Sequence, residues 1–423
     1  MVTAPVRPDR IADLRALLAS MNSAPGEVDP NNALVPFGRF DAIHVARFVV
    51  ADDNTLDDNR YFPGQLPPSE RVLLIFLADC DGPGDILMAR IVGEAGGGLR
   101  RIFAHCEDFD DNTELLSWMR ARQTPPAAVY VNWVGRTVRQ VHEEAALRDA
   151  LHDALHGPGA ESRERDPRRL HQQLRAAMET GGPRLTPIEP RTIGQWISLV
   201  LCAIGLIVLG LVLLPFVIVG APFFLIALRR REMTDPIIST RNDAGRTRAI
   251  AIDEDRDVTN PFSAIGSLKP GFFRLAIAVV ALRLVGLSGV FIYHSGRLAR
   301  VSTIHFARWV LLDGNRRVFF ASNYDGSLES YMDDFINKVA FGLNLVFSNG
   351  VAYPQTDYLV HRGALREQQF KNYLHRRQVK TDVWYKAYPG LTTADLARNS
   401  RIRKGLERTD MSDDEIRRWL AEI

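Results

Sequence analysis

Two stretches of the chain place a histidine, an arginine three residues later and, at the end of the next strand, an aspartate in the same order. In the C-terminal part they are His305, Arg308 and Asp325, with Asn323 and Tyr324 beside the aspartate; in the N-terminal part they are His44, Arg47 and Asp81. An imidazole serves as a base near neutral pH, a guanidinium holds an anionic group or a peroxide-like oxygen, and a carboxylate orients either one. His305, Arg308 and Asp325 are therefore the candidate catalytic residues, and His44, Arg47, Asp81, Asn323 and Tyr324 the candidate ligand-binding residues. The competing reading is structural: Arg308 with Asp325, and Arg47 with Asp81, form ion pairs at a strand-to-helix corner where the aspartate also caps the helix. His361 and His375 lack a second ligand at metal spacing, and no metal site is expected. Gly96-Gly97-Gly98 is not followed by GK[ST] and reads as a turn rather than a phosphate loop.

The elements that must position these residues repeat. Gly38-Arg39-Phe40 with 43–49 (IHVARFV) recurs as Gly296-Arg297-Leu298 with 304–310 (IHFARWV), and Arg71-Val72-Leu73 leading to Asp81-Gly82 recurs as Arg317-Val318-Phe319 leading to Asp325-Gly326. Arg122-Gln123 stands before Gly135 at the spacing that separates Arg377-Gln378 from Gly390. Each copy reads as a strand, a turn (52–54 or 313–315), a second strand and a helix opened by Asp-Gly. A further helix, a strand (127–135 or 381–390) and a closing helix over 137–155 or 392–408 complete it. Strict alternation along the strands places Arg308, Asn323 and Asp325 on one face and His305, Trp309 and Tyr324 on the other. Trp384-Tyr385-Lys386-Ala387-Tyr388 reads as sheet surface and core. The pattern predicts an α+β fold of two tandem ferredoxin-like halves forming a pseudo-dimer, with an inserted membrane hairpin.

That insertion is the run from Trp196 to Leu228, 33 residues without a charge. As one helix it would reach about 50 Å against a hydrocarbon thickness of about 30 Å, so a break at Pro215, Gly220 and Pro222 into two arms is expected. Arg191 precedes it, and Arg229, Arg230 and Arg231 follow it with Arg241, Arg246 and Arg248 close behind, a cluster suited to the cytoplasmic leaflet. A tilted single span is the alternative. A second apolar stretch, 271–295, carries Arg274 and Arg283 and reads as an interfacial or core helix. The expected domains are an N-terminal helix and linker (1–32), a first half (33–156), a polar linker (157–193), the membrane hairpin (194–231), a linker (232–270), the apolar helix (271–295), a second half (296–408) and a C-terminal amphipathic helix (409–423) opened by the capping box Ser412–Glu415.

Composition bounds the function. Apolar residues make up 46% and charged residues 24% of the 423, and Lys plus Arg exceed Asp plus Glu by only 52 to 50, so no basic field argues for nucleic acid. Three widely spaced cysteines, Cys80, Cys106 and Cys202, fit a reducing compartment, which places both halves on the cytoplasmic side of a membrane. At 304–313 (IHFARWVLLD), 322–335 (SNYDGSLESYMDDF) and 383–392 (VWYKAYPGLT) the chain resembles a group of bacterial membrane-associated proteins without an assigned activity. The duplicated halves are similar in topology to the dimeric α/β-barrel superfamily of dye-decolourising peroxidases, chlorite dismutases and small monooxygenases. Asp325-Gly326 is similar to the end of the GxxDG motif of the peroxidases, with Ser322 at its first glycine, and this resemblance implies haem as a cofactor. The expected function is binding of, or redox or oxygenase chemistry on, a lipophilic molecule that arrives from the bilayer. The alternative is a membrane scaffold that docks a protein partner without chemistry.

Overall fold

The computed structural model describes residues 1–423 apart from 53–57, 67–70, 158–165, 190–191, 239–241, 294–295, 297 and 299. The turn expected at 52–54, part of the linker at 161–169, and Arg191, Arg241 and Arg297 therefore lie wholly or partly outside the described residues. In chain order the elements are β1 (Val2–Pro5), α1 (Ile11–Ala19), the hairpin β2 (Asn22–Ala24) and β3 (Glu27–Val28), β4 (Ile43–Ala51), β5 (Leu73–Cys80), α2 (Gly84–Phe103), α3 (Leu115–Ala121), β6 (Ala128–Val131), α4 (Val138–His156), α5 (Pro167–Gly181) and α6 (Ile193–Thr234). There follow α7 (Ala244–Glu254), β7 (Thr259–Ser267), α8 (Phe272–Phe291), β8 (Ile304–Leu312), β9 (Arg317–Asp325), α9 (Leu328–Phe347), the short pair β10 (Thr356–Asp357) and β11 (His361–Arg362), α10 (Glu367–Arg377), β12 (Val383–Lys386), α11 (Thr393–Glu407) and α12 (Asp413–Leu420).

The fold is α+β, with two four-stranded antiparallel sheets ordered β1-β5-β4-β12 and β6-β8-β9-β7. Each sheet takes its last strand from the far side of α6. β12 pairs with β4 in the register Val383↔Phe48 to Lys386↔Val45, and β6 pairs with β8 in the register Ala128↔Trp309 to Val131↔Phe306. The sheets lie face to face across Val49, Leu73, Ile75 and Leu77 on one side and Ile265, Val310, Phe319 and Ala321 on the other. Helices α1, α2 and α3 cover the outer face of the first sheet, and α8, α9 and α10 that of the second. With both faces covered, β4 is buried at every position, which is why it reads as a nearly continuous apolar run. Closing helices α4 and α11 each open with a capping box, at Thr137 and Thr392, and pack with α5 and α12 around Leu151, Leu174, Ile402 and Trp419. The tail helix α12 is thus part of the body: Trp419 donates its Nε1–H to the Ile402 carbonyl at 2.8 Å.

The apolar run forms one helix of 42 residues, with Pro215 and Pro222 inside it, and this corrects the expected two-armed hairpin. Each proline removes only one amide donor, whereas a turn placed in an apolar run would leave several backbone groups without partners. The 18-residue apolar window of α6 is 0% buried, so the helix stands clear of the body. Both its flanks return to that body. Upstream, Thr186 bonds to Glu143 of α4; downstream, the buried Glu232 carboxylate accepts bonds from Thr356 Oγ1, Tyr358 N and Leu359 N at 2.8–3.0 Å. Helix α8 is the second element long and apolar enough to cross a membrane. Its inner face, Arg274, Ile277, Ala278, Ala281 and Leu282, is buried, and Gly286 and Gly289 let it approach the β6 backbone, where a Cβ at Gly289 would sit 3.0 Å from the Val129 carbonyl oxygen.

Two carboxylates hold the segment that leads into β12. Glu254 accepts the Gln378 Nε2–H at 3.0 Å and the Thr381 amide, and Asp382 accepts the Val50 amide of β4 at 2.7 Å. Burial pushes Glu254 up to about 7 and Asp382 up to about 6. A carboxyl whose pKa is higher folded than unfolded adds its stability below the unfolded value, ordinarily 4.5 for Glu254, and loses it as the pH rises through about 7. The melting temperature should therefore fall across that window, and Glu254→Gln should flatten the fall. Thermal unfolding in detergent over this pH range checks it; a parallel, unflattened curve for the variant would assign the slope elsewhere.

Candidate functional site

The two histidines owe their position to a backbone irregularity. The β8–β9 register slips between Ile304 and Phe306, and the β4–β5 register between Ile43 and Val45, so His305 and His44 are the extra residues of two β-bulges. A bulge breaks the alternation, and it turns each histidine toward the aspartate that strict alternation placed on the opposite face. His305 Nε2 lies 2.7 Å from Asp325 Oδ1, and His44 Nε2 lies 3.0 Å from Asp81 Oδ1. The second carboxylate oxygen accepts a backbone amide at the start of a closing helix: Thr393 N for Asp325 at 2.7 Å and Val138 N for Asp81 at 2.9 Å. The aspartates thus sit at the positive ends of α11 and α4. Hydrogen bonds from His305 and Thr393 outweigh burial and hold Asp325 below the usual carboxylate range.

Between the histidines lies Tyr388, which follows the strand β12. Its hydroxyl is 3.0 Å from His44 Nδ1, and its ring centre lies 6.4 Å from that of His305 and 6.3 Å from that of His142. Burial, with His44 nearby, lowers the His142 pKa, and burial raises that of Tyr388. With the His44 Nε2–H donated to Asp81, Nδ1 is left to accept the tyrosine proton. An Asp–His–hydroxyl chain of this kind can activate a hydroxyl. Tyr388, however, is only 6% exposed and lines none of the described cavities, so the chain joins β4, β5, β12 and α4 rather than presenting a nucleophile. Nothing in the local sequence singles out Tyr388, because its neighbours are assembled by the exchange of β12.

The arginines take other partners than the aspartates expected for them. Arg308 of the second sheet pairs with Asp79 of the first, its Nε 2.6 Å from Oδ1. Arg47 reaches the opposite way and donates to the Phe262 carbonyl, Ser263 Oγ and the Ser322 carbonyl, each at 3.0 Å, with its guanidinium 4.7 Å from the centre of the Trp384 ring. It is fully buried, and burial lowers its pKa to about 10. Asn323, like Asp79, stands two residues before a strand-ending aspartate, and it is buried with neither amide atom partnered. Tyr324 lies on the outer face of the second sheet, stacked on Tyr331 at 4.1 Å, away from His305. The candidates therefore separate into two His–Asp corners, two cross-sheet arginines and an aromatic core pair.

A cavity of about 280 Å³ lies on that outer face, between the second sheet, α8 and α9. Phe262, Trp309, Phe320, Tyr331 and Phe370 supply aromatic walls, and among the described residues no charged side chain lines it. Leu284, Ile292 and Phe341, which also border it, are exposed, so it opens between α8 and α9. Trp309 is 5% exposed and its Nε1–H has no partner. Haem does not fit the described residues: His44 uses both ring nitrogens, His305 uses Nε2, neither borders a described cavity, and no histidine among the described residues lines the apolar cavity. Among the described residues no group of three His, Cys, Asp or Glu side chains could hold a metal ion.

Asn323→Asp supplies the carboxylate that Asp79 gives to Arg308 and is expected to raise stability by about 1 kcal/mol through Arg47. Thermal unfolding checks this; a lower melting temperature would show that Arg47 is already balanced. Comparison with protein-family models, curated proteins and solved structures finds no match to this chain.

Proposed function

We propose that this is a membrane-anchored protein that binds a neutral lipophilic molecule in the cavity between α8, α9 and the second sheet. The observation that carries the reading is an aromatic cavity of about 280 Å³, with no charged side chain among its described lining, whose mouth is rimmed by exposed apolar residues near α8 and on α9. A dry apolar cavity of roughly half that size binds benzene-sized ligands. A polar ligand would lose its hydration there without compensation. The unpartnered Trp309 Nε1–H suits a ligand with one acceptor oxygen. Binding is favoured over chemistry, because the histidines and arginines that could carry a reaction already hold the sheets together.

The reading also takes the body as two ferredoxin-like halves of common origin that form a pseudo-dimer and exchange their last strands. Three matched features support it: bulges at His44 and His305, aspartates at the starts of α4 and α11, and non-helical residues at Ala95 in α2 and Val339 in α9, each 13 residues after an Asp-Gly pair. Because strands from both sides of α6 share each sheet, both flanks of the apolar run belong to one body, which supports both lying on one side of the bilayer. The free cysteines and the arginines after the run support the cytoplasm as that side. Membrane-impermeant labelling at the ends of α6 tests this: both ends should react only after the cells are opened, and a single end reacting in intact cells sinks it.

Ligand binding is tested on the full chain purified in mild detergent. Mass spectrometry of the extract should find a stoichiometric neutral lipophile. Gly342 lines the cavity and a Cβ there meets nothing within 4 Å, so Gly342→Phe is the substitution chosen to occupy it. It should remove the ligand and leave the melting temperature of the ligand-free protein within a few degrees. Equal ligand in both proteins, or none in either, would leave the scaffold as the better reading.

A further inference from the structure

Helix α8 passes the length and hydropathy test for a membrane span, yet its surroundings are those of a helix lying on a membrane. Its two faces differ. Arg274, Ile277, Ala278, Ala281 and Leu282 are buried against the body, whereas Phe272, Val280, Leu284 and Val290 are exposed, at 85%, 57%, 52% and 50%. At 100° per residue these four fall on one side of the helix, with Arg283 among them and also exposed. A spanning helix would carry that guanidinium to mid-bilayer at a cost of about 3 kcal/mol. It would also place the β6 backbone beneath it in the hydrocarbon.

The surface continues beyond α8. At its N-terminal end it meets the root of α6, where Phe224 packs 5.5 Å from Phe273 and Arg231 lies 5.0 Å from the centre of the Phe273 ring. Around this junction Met233, Ile237 and Leu365 are 61–78% exposed, and Arg230 is exposed beside them. On the other flank Phe341 of α9 is 59% exposed at the mouth of the cavity. Three separate segments thus expose large apolar side chains around the point where the wholly apolar helix leaves the body. Arginines stand at the same level, complementary to phosphate.

We infer that the outer face of α8, with Phe341, Leu365 and the root of α6, is a docking surface for an anionic lipid bilayer. Helix α8 lies in the plane of the interface: its apolar stripe enters the acyl boundary, and Arg230 and Arg283 take lipid phosphates. The surface is separate from the ligand, and it holds whether or not the cavity is filled. It also sets the cavity mouth at the depth of the upper acyl chains, so a lipophile crosses no water to enter.

Spin labels on single cysteines at positions 272, 280, 284 and 290 test this. The full chain, with Cys80, Cys106 and Cys202 replaced by alanine, is reconstituted into vesicles of mixed phosphatidylcholine and phosphatidylglycerol. All four labels should sit at one shallow depth, about 5–10 Å below the headgroups. Positions 280 and 284 deep with 272 and 290 shallow would mean a span, and all four in water would mean no docking; either overturns the inference. In pure phosphatidylcholine the labels should lie closer to water, and Arg230→Glu with Arg283→Glu should remove that difference between vesicles. Depth unaffected by lipid charge in the unsubstituted protein would overturn the role of the two arginines.

Discussion

The pairing of β12 with β4 and of β6 with β8 is the constraint from which the rest of this molecule follows. A parent strand that returned to its own sheet would leave two independent lobes, free to lie on either side of α6. By crossing over, each four-residue strand ties the segment on one side of the apolar run to the sheet on the other. The backbone bonds of β12 and β6 satisfy groups that would otherwise be open edges next to β4 and β8. The exchange also brings Tyr388 onto His44, Trp384 onto Arg47 and Tyr130 into the core of the second sheet. Once these strands have crossed, both ends of α6 are joined to the same pair of sheets.

Between the sheets the charge is unevenly balanced. Arg308 has Asp79, whereas Arg47 has two carbonyls, a hydroxyl and the face of an indole, with Asn323 at the place corresponding to Asp79. Burying a guanidinium among neutral acceptors is tolerable because carbonyl dipoles pre-oriented by β7 and β9 replace water, but it lowers the pKa. The aspartates at the His corners solve a different problem. They neutralise the ends of α4 and α11 and fix the tautomers of bulged histidines, so residue types that ordinarily suggest a reaction are engaged in fastening helices to sheets.

The second sheet carries the candidate ligand site on its outward face. There the aromatic residues of β7, β8 and β9 are covered by α8 and α9 with space to spare, while α1, α2 and α3 cover the first sheet. The lid of the cavity is therefore the helix whose other side is apolar and exposed. The proposed site for a water-insoluble molecule and the proposed membrane surface share the thickness of one helix.

From the sequence by itself came the α+β class, the bounds of the two closing helices, the repeated His–Arg–Asp set and the charge-free run, since all of these are local patterns of period, capping and composition; α5, α7 and β7 lie in segments expected as linkers. The closing helices expected over 137–155 and 392–408 are Val138–His156 and Thr393–Glu407, because Thr137 and Thr392 cap them locally. The partners of the candidate residues were decided only by tertiary structure. A one-residue bulge at His44 and His305 reverses the side on which each histidine falls, and nothing in a strand's composition marks a bulge. Strand exchange and the cavity depend on the packing of segments more than 100 residues apart, and the continuity of α6 through two prolines depends on the backbone groups a break would expose. Local sequence sets what each segment prefers, whereas which segments meet is settled by the burial and hydrogen bonding of the whole.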